Sequence, residues 1–231
     1  WREAFDRDGF VVVGNVLSAA RFTEMRKAIL EREWPAREMR QGDAITRRIA
    51  IGPQMLDAVP GLRELLHRKD ILALFNYVTS YRMTPLHYIQ TIVSCLDGSD
   101  VDPQQTLHAD SFHSSMKAWL FLKPVGEDDG PFNYVPGSHR FTPARMEWEY
   151  QRSLADPNAI DRLSARGSPR VDGDALAQMG LGSAKALTLP ENTLVVADMA
   201  GFHARGAAVN PGERVEIWSY ARRTPFLPWL G

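Results

Sequence analysis

From Met83 onward the hydrophobic pattern of this chain repeats every second residue, β-branched and aromatic residues rise, and turn formers recur at short intervals. A period of two sends alternate side chains to opposite faces of a strand, so this part of the chain is committed to an all-β sandwich or barrel. Strands are expected near 84–96, 105–110, 115–122, 131–135, 184–189, 193–199, 201–206 and 214–222. Residues 141 to about 180 break the alternation with a polar, partly helical insertion rich in Arg, Asp and Gly. Its length exceeds an ordinary hairpin loop, so it reads as a lid over a site or a mobile excursion. Upstream the period changes. A short strand Phe10-Val11-Val12-Val13 precedes a helix from about Ser18 to Glu33, which Ser18 can cap and whose Phe22, Met25, Ile29 and Leu30 share one stripe. A second helical zone runs from about Met55 to Val78, interrupted near Pro60-Gly61. A helical part over about 14–80 thus leads into a β core over about 83–223.

With 231 residues and 44% hydrophobic content, a single domain over 1–231 with one core is expected. A formal net charge of −1 leaves no basic field to gather phosphates, which argues against nucleic acid as a partner. No apolar run is long enough to span a bilayer. Cys95 is alone and no leader precedes the fold, which points to a reducing cytoplasm. The chain opens at Trp1 without a methionine and stops soon after Pro228-Trp229, as a trimmed part of a longer product would. A small organic molecule is the expected partner, and the sequence carries no signature of an oligomeric state.

His108-Ala109-Asp110 would send an imidazole and a carboxylate from one face of a strand, two ligands for a divalent metal. With 6 histidines and 28 acidic residues such a triplet arises by chance, so the third ligand carries the argument. His203 is the best candidate, because it follows the apolar run Leu194-Val195-Val196-Ala197 and a Gly201 that lets the backbone turn closely. Two imidazoles and one carboxylate form the facial triad that favours Fe(II) and leaves positions open for a cosubstrate and O2. A structural zinc would instead fill its sphere, usually with cysteines. Arg214 opens the strand Val215-Glu216-Ile217-Trp218. Were 2-oxoglutarate the cosubstrate, this guanidinium could grip its far carboxylate, while the bland reading is a salt bridge with Glu213 or Glu216.

Three stretches together resemble the phytanoyl-CoA dioxygenase family of Fe(II)/2-oxoglutarate oxygenases: Gln105-Thr106-Leu107-His108-Ala109-Asp110, then Gly130 to Arg140 (GPFNYVPGSHR), then His203 with Arg214. The opening Phe5-Asp6-Arg7-Asp8-Gly9-Phe10-Val11-Val12 is similar to the usual start of such domains. The resemblance implies a mainly β double-stranded β-helix, a cupin-like jelly-roll, with α-helices packed outside. It implies His108, Asp110 and His203 as iron ligands and Arg214 as partner of the distal 2-oxoglutarate carboxylate. Trp119 matches an aromatic lining the cosubstrate pocket, and Gln90 and Thr106 match cosubstrate contacts. The implied activity is hydroxylation with release of succinate and CO2. In related halogenases a small residue replaces the carboxylate that Asp110 provides here. One departure is Arg205, where relatives often carry a small hydroxyl residue two positions beyond the distal histidine.

His139 is expected to fix its loop by hydrogen bonds, His113 to be a polar edge residue, and Asp128-Asp129-Gly130 to be a turn. His67 and His87 have no evident partners. Arg47, Arg48 and Arg82 read as solvated surface or as a substrate-facing basic cluster. Two other functions stand beside the oxygenase: a catalytically silent jelly-roll binding protein, and a cupin-like metal isomerase or hydrolase that needs no 2-oxoglutarate.

Overall fold

The computed structural model describes residues 1–96, 102–156 and 158–222. Seven strands form one antiparallel sheet: β1 (Phe10–Val13), β2 (Arg37–Gln41), β3 (Ala44–Ala50), β4 (Leu86–Ser94), β5 (Met116–Phe121), β8 (Leu194–Asp198) and β10 (Gly212–Ala221), in the order β1-β8-β5-β10-β4-β3-β2. A smaller sheet takes β6 (Phe132–Tyr134), β7 (Lys185–Leu187) and β9 (His203–Arg205) in the order β7-β6-β9. The sheets face one another. Trp119 and Trp218 of the large sheet pack with Phe132 and Tyr134 of the small one, and the Trp119 and Phe132 rings lie 4.5 Å apart. This is the jelly-roll that the sequence implies.

Alternation along β10 shows how the large sheet serves two cores. Val215, Ile217 and Ala221 point outward into a cluster shared with the helices, whereas Arg214, Glu216 and Trp218 point between the sheets. On the outer face lie α2 (Ala19–Leu30), α3 (Pro53–Ala58), α4 (Leu62–Leu66) and α5 (Lys69–Thr79). In α5, Ile71, Leu74, Phe75 and Val78 fall at helical spacing and are buried, each contributing about 1.5–3 kcal/mol by burial. In α2 the stripe is Phe22, Met25 and Ile29; Leu30 lies beyond its edge and is exposed. Ser18 occupies the N-cap position of α2 without a side-chain cap bond.

Two departures from expectation matter for function. The first is that the helical N-terminal part contains the β2–β3 hairpin, which extends the large sheet beyond β4. Its Arg-rich sequence hides the alternation, because β2 is an edge strand solvated on both faces. The second concerns 141–180, which holds α6 (Pro143–Ser153) and α7 (Gly173–Gln178) and packs behind the small sheet. Val171 N–H donates to Leu107 O at 3.0 Å and Ala109 N–H to Pro169 O at 3.1 Å, so this segment braces the His108–Asp110 stretch from outside. Arg145 of α6 is almost fully buried, stacks 4.0 Å over Phe202 and donates to Ser138 O and Ala200 O.

Among the histidines, His139 packs its ring on Phe5 at 5.2 Å, and its buried Nδ1 has no hydrogen-bond partner, so packing rather than hydrogen bonding holds it. His87 Nδ1 meets Ser219 Oγ at 2.8 Å and His67 Nδ1 meets Arg63 O at 2.7 Å. Asp129 closes the expected turn by accepting from Gly126 N–H at 2.8 Å. Among the described residues no helix is long and apolar enough to cross a membrane.

Candidate metal centre

His203 opens β9, while His108 and Asp110 lie on an extended segment after a 3-10 turn at Pro103–Gln105. The expected strand over 105–110 does not form. Asp102 caps a turn led by Pro103, which has no N–H for a ladder, and bridge pairing is confined to His108, as isolated bridges to His203 and Arg170. Those bridges are enough. His108 and His203 exchange backbone hydrogen bonds of 2.9 Å each, and Asp110 N–H donates to Met199 O at 2.9 Å.

Nε2 of His108 and Nε2 of His203 each lie 3.8 Å from Asp110 Oδ1, and the three ligand atoms fall within 4.8 Å of one another. His108 Nδ1 donates to Thr106 O at 2.7 Å and His203 Nδ1 to Gly201 O at 3.0 Å. A carbonyl can only accept, so each Nδ1 carries the proton and each Nε2 keeps its lone pair. Nε2 of His108 is buried without a hydrogen-bond partner among the described residues. Such an orphan costs about 1–3 kcal/mol unless something meets its lone pair. A divalent cation among these three atoms would do so, and the donor set suits Fe(II).

The electrostatics agree. Burial, then the neighbouring His203, hold the His108 imidazole down to about 3. Burial also lowers His203, so both rings are neutral at pH 7, as ligands must be. Burial opposes ionisation of Asp110, but Lys117, His203 and His108 outweigh it and keep the carboxylate well below its ordinary range. Lys117 Nζ contacts Asp110 Oδ2, which leaves Oδ1 facing the imidazoles.

Asp110 and His203 border a cavity of about 180 Å³ that lies over the inner face of the large sheet. Two cross-strand rows build its wall: Arg48 and Gln90 across β3 and β4, in register with the buried Glu216 of β10, then Trp218 and Trp119 across β10 and β5. Arg214, two residues before Glu216, shares that face. Its Nε donates to Glu216 Oε2 at 3.2 Å and its Nη1 to the carbonyl of Gly130, a glycine at φ +66. Glu216 is fully buried and also accepts from Gln90 Nε2 at 2.8 Å. Arg214 lines the cavity and pairs with Glu216; Glu213 instead faces Lys123 at 3.5 Å. Arg205 also lines the cavity and holds buried Asp102 at 2.5 Å; burial, then Arg214, lower its pKa.

The fold thus gathers His108, Asp110, His203, Arg214, Trp119 and Gln90. Thr106 is different: its side chain is exposed, and only its carbonyl serves the site, through His108. None of the described residues of 141–180 lines the cavity, whose outer rim comes from Met39 and Gln41 of the β2–β3 hairpin. Of the three arginines considered as a cluster, Arg48 lines the cavity, Arg47 turns away to Glu38 at 2.7 Å, and Arg82 borders a separate surface hollow. Lys117 is a site residue that sequence reasoning did not single out. The signal for Lys117 was present, since it stands two positions before Trp119 on one strand face.

A family model described as Phytanoyl-CoA dioxygenase (PhyH) matches residues 5–177, a span that includes His108 and Asp110. No curated protein matches in sequence. Solved structures with the same fold include the non-heme alpha ketoglutarate dependent epimerase SnoN from nogalamycin biosynthesis, 20% identical over 99% of this chain and 89% of that one, with a TM-score of 0.58. HygX from Streptomyces hygroscopicus, solved with nickel and 2-oxoglutarate, is 18% identical over 96% of this chain and 87% of its own, with a TM-score of 0.56. The carbocyclase SnoK, also from nogalamycin biosynthesis, is 18% identical over 99% and 89%, with a TM-score of 0.51.

Proposed function

Because the chain belongs to the phytanoyl-CoA dioxygenase family, we propose that it is an Fe(II)- and 2-oxoglutarate-dependent dioxygenase that hydroxylates a small organic substrate with release of succinate and CO2. One observation carries the reading: His108, Asp110 and His203 converge within 4.8 Å, leaving a buried lone pair on His108 Nε2. These three would hold the iron, and Arg214 would bind the distal carboxylate of 2-oxoglutarate. Bound there, Fe(II), 2-oxoglutarate and O2 supply an oxidant able to take hydrogen from an unactivated C–H bond.

The work of the side chains is positional. Lys117 holds Asp110 Oδ2 and so presents Oδ1 to the imidazoles. Gln90 holds Glu216, which in turn holds Arg214 Nε and sets the plane of the guanidinium. Arg214 Nη2 makes no hydrogen bond with a described residue, which keeps donors for a carboxylate. Trp119 and Phe132, buried side by side, exclude water next to the triad. HygX, solved with hygromycin B bound as well as nickel and 2-oxoglutarate, supports a small-molecule substrate here. The intact Asp110 favours hydroxylation over halogenation, while SnoN and SnoK mark epimerisation and ring closure as outcomes that another substrate placement would give.

Anaerobic addition of Fe(II) and 2-oxoglutarate tests the reading, through the visible charge-transfer absorption of the chelate. Arg214→Ala should weaken 2-oxoglutarate binding; unchanged binding removes that role from Arg214. Failure of the native chain to bind Fe(II) would instead leave the silent binding protein in front.

A further inference from the structure

Among the described residues four cations border the cavity, and their partners differ. Lys117 contacts Asp110, Arg205 holds Asp102 at 2.5 Å, and Arg214 holds Glu216 at 3.2 Å. Arg48 forms no ion pair with a described residue. Its Nε donates to the neutral Gln90 Oε1 at 2.8 Å, and its guanidinium carbon lies over Trp218 at 4.1 Å from the ring centre. Glu216 is nearby, but its charge is paired with Arg214 and it also accepts from Gln90. A partly desolvated cation without a counter-ion is costly to keep, and the stacked, pinned geometry leaves its outer N–H fork ready for a planar or tetrahedral anion.

Arg48 also stands at a junction. Together with Met39 it borders both the triad cavity and an adjoining outer groove of about 540 Å³. Arg37, directly opposite Arg48 in the β2–β3 register, lines that groove and likewise forms no ion pair with a described residue. The one acidic residue of the groove, Glu38, is held by Arg47 at 2.7 Å. Two guanidiniums therefore share one wall, and Tyr88 supplies an aromatic face beside them.

We propose that Arg48, assisted by Arg37, anchors a carboxylate or phosphate group of the substrate, so that the remainder of an acidic substrate reaches from the groove toward the triad. This names the substrate class of the oxygenase site and rests on that reading. The 2-oxoglutarate carboxylate has its own partner in Arg214, so Arg48 is surplus to the cosubstrate.

The test is calorimetric binding of benzoate and phenyl phosphate, with benzamide and benzyl alcohol as neutral counterparts. It uses the full chain both metal-free and loaded with Ni(II) and 2-oxoglutarate. At least one of the anions should bind in both forms and the neutral compounds should not; the preferred anion tells carboxylate from phosphate. Losing hydrogen bonds to a charged ligand should weaken anion binding about tenfold or more in Arg48→Gln, with partial retention in Arg48→Lys, unchanged Ni(II) affinity, and a smaller change in 2-oxoglutarate affinity than in anion affinity. Arg37→Gln, at an exposed edge position, should give a smaller loss in the same direction and keeps the test decisive if Arg48→Gln does not fold. Three results would overturn the proposal: neutral compounds binding as well as anions, undiminished anion binding in both variants, or Arg48→Gln weakening 2-oxoglutarate instead. Failure of the native chain to take up Ni(II) and 2-oxoglutarate would sink the oxygenase reading, with the anion result still legible in the metal-free protein.

Discussion

Gly201→Ala is the substitution whose consequence can be worked most fully from the structure. A Cβ at this position would stand 1.9 Å from the Tyr134 hydroxyl, 2.5 Å from Tyr134 Cζ and 3.0 Å from Ser138 Oγ, where ordinary contact begins at 3.4 Å. Neither neighbour is a flexible end. Tyr134 is fully buried, donates to Asp198 O at 2.8 Å, and is wedged between Phe10 at 5.4 Å and His203 at 6.5 Å. Ser138 Oγ accepts from Phe202 N–H at 2.8 Å. Relief requires breaking the Tyr134 bond, at about 1–3 kcal/mol, and repacking a full core, at about 1–3 kcal/mol more. A destabilisation of about 2–6 kcal/mol follows, a large part of the 5–15 kcal/mol that holds a typical domain. Urea denaturation measures it, with Tyr134→Phe as the control. Removing the hydroxyl relieves the worst overlap, so the double variant should be more stable than the sum of the single losses. Because Gly201 O accepts from His203 Nδ1, Ni(II) affinity should also fall, by about 10- to 100-fold. A Gly201→Ala protein that unfolds with the parent and binds Ni(II) equally would show the close approach to be wrong.

Asp110→Ala should abolish Fe(II) binding in an equilibrium titration and with it turnover; metal occupancy near that of the parent would contradict the ligand assignment. Arg145→Ala should cost about 3–5 kcal/mol in urea denaturation, because it strands the Ser138 and Ala200 carbonyls and the Glu149 carboxylate. Acid should weaken the fold through His87, which burial, then His67, hold at about 4 against an ordinary 6.5. The unfolded chain takes up that proton first, so stability declines as pH falls from 6.5 toward 4 and this contribution levels off below. His87→Gln should narrow the difference between denaturation midpoints at about pH 7 and about pH 5, and an unchanged difference would place the sensitivity elsewhere.

The long strands β4, β5, β8 and β10 were legible because each carries a face of regularly alternating apolar residues. The β2–β3 hairpin was not, since an edge ladder with polar residues on both faces carries no period to read. The candidate metal ligands could be named from the residues, although the expected strand over 105–110 is a capped turn followed by two single-residue bridges. Thr106 matched by position, yet its side chain is exposed and its carbonyl does the contacting, a distinction that residue identity cannot carry.

By itself the sequence determined a β core behind a helical N-terminal part and offered the His-x-Asp pair, the distal histidine and the arginine eleven positions beyond it as candidates, because these rest on local spacing and side-chain chemistry, while the jelly-roll came from the family resemblance. Tertiary structure alone decided which charges neutralise one another, that 141–180 braces the ligand segment from behind, and that Arg48 stands without a carboxylate between two hollows. Those outcomes depend on the register between strands distant in the chain. A shift of one residue there would turn every side chain to the other face, and no local pattern records it.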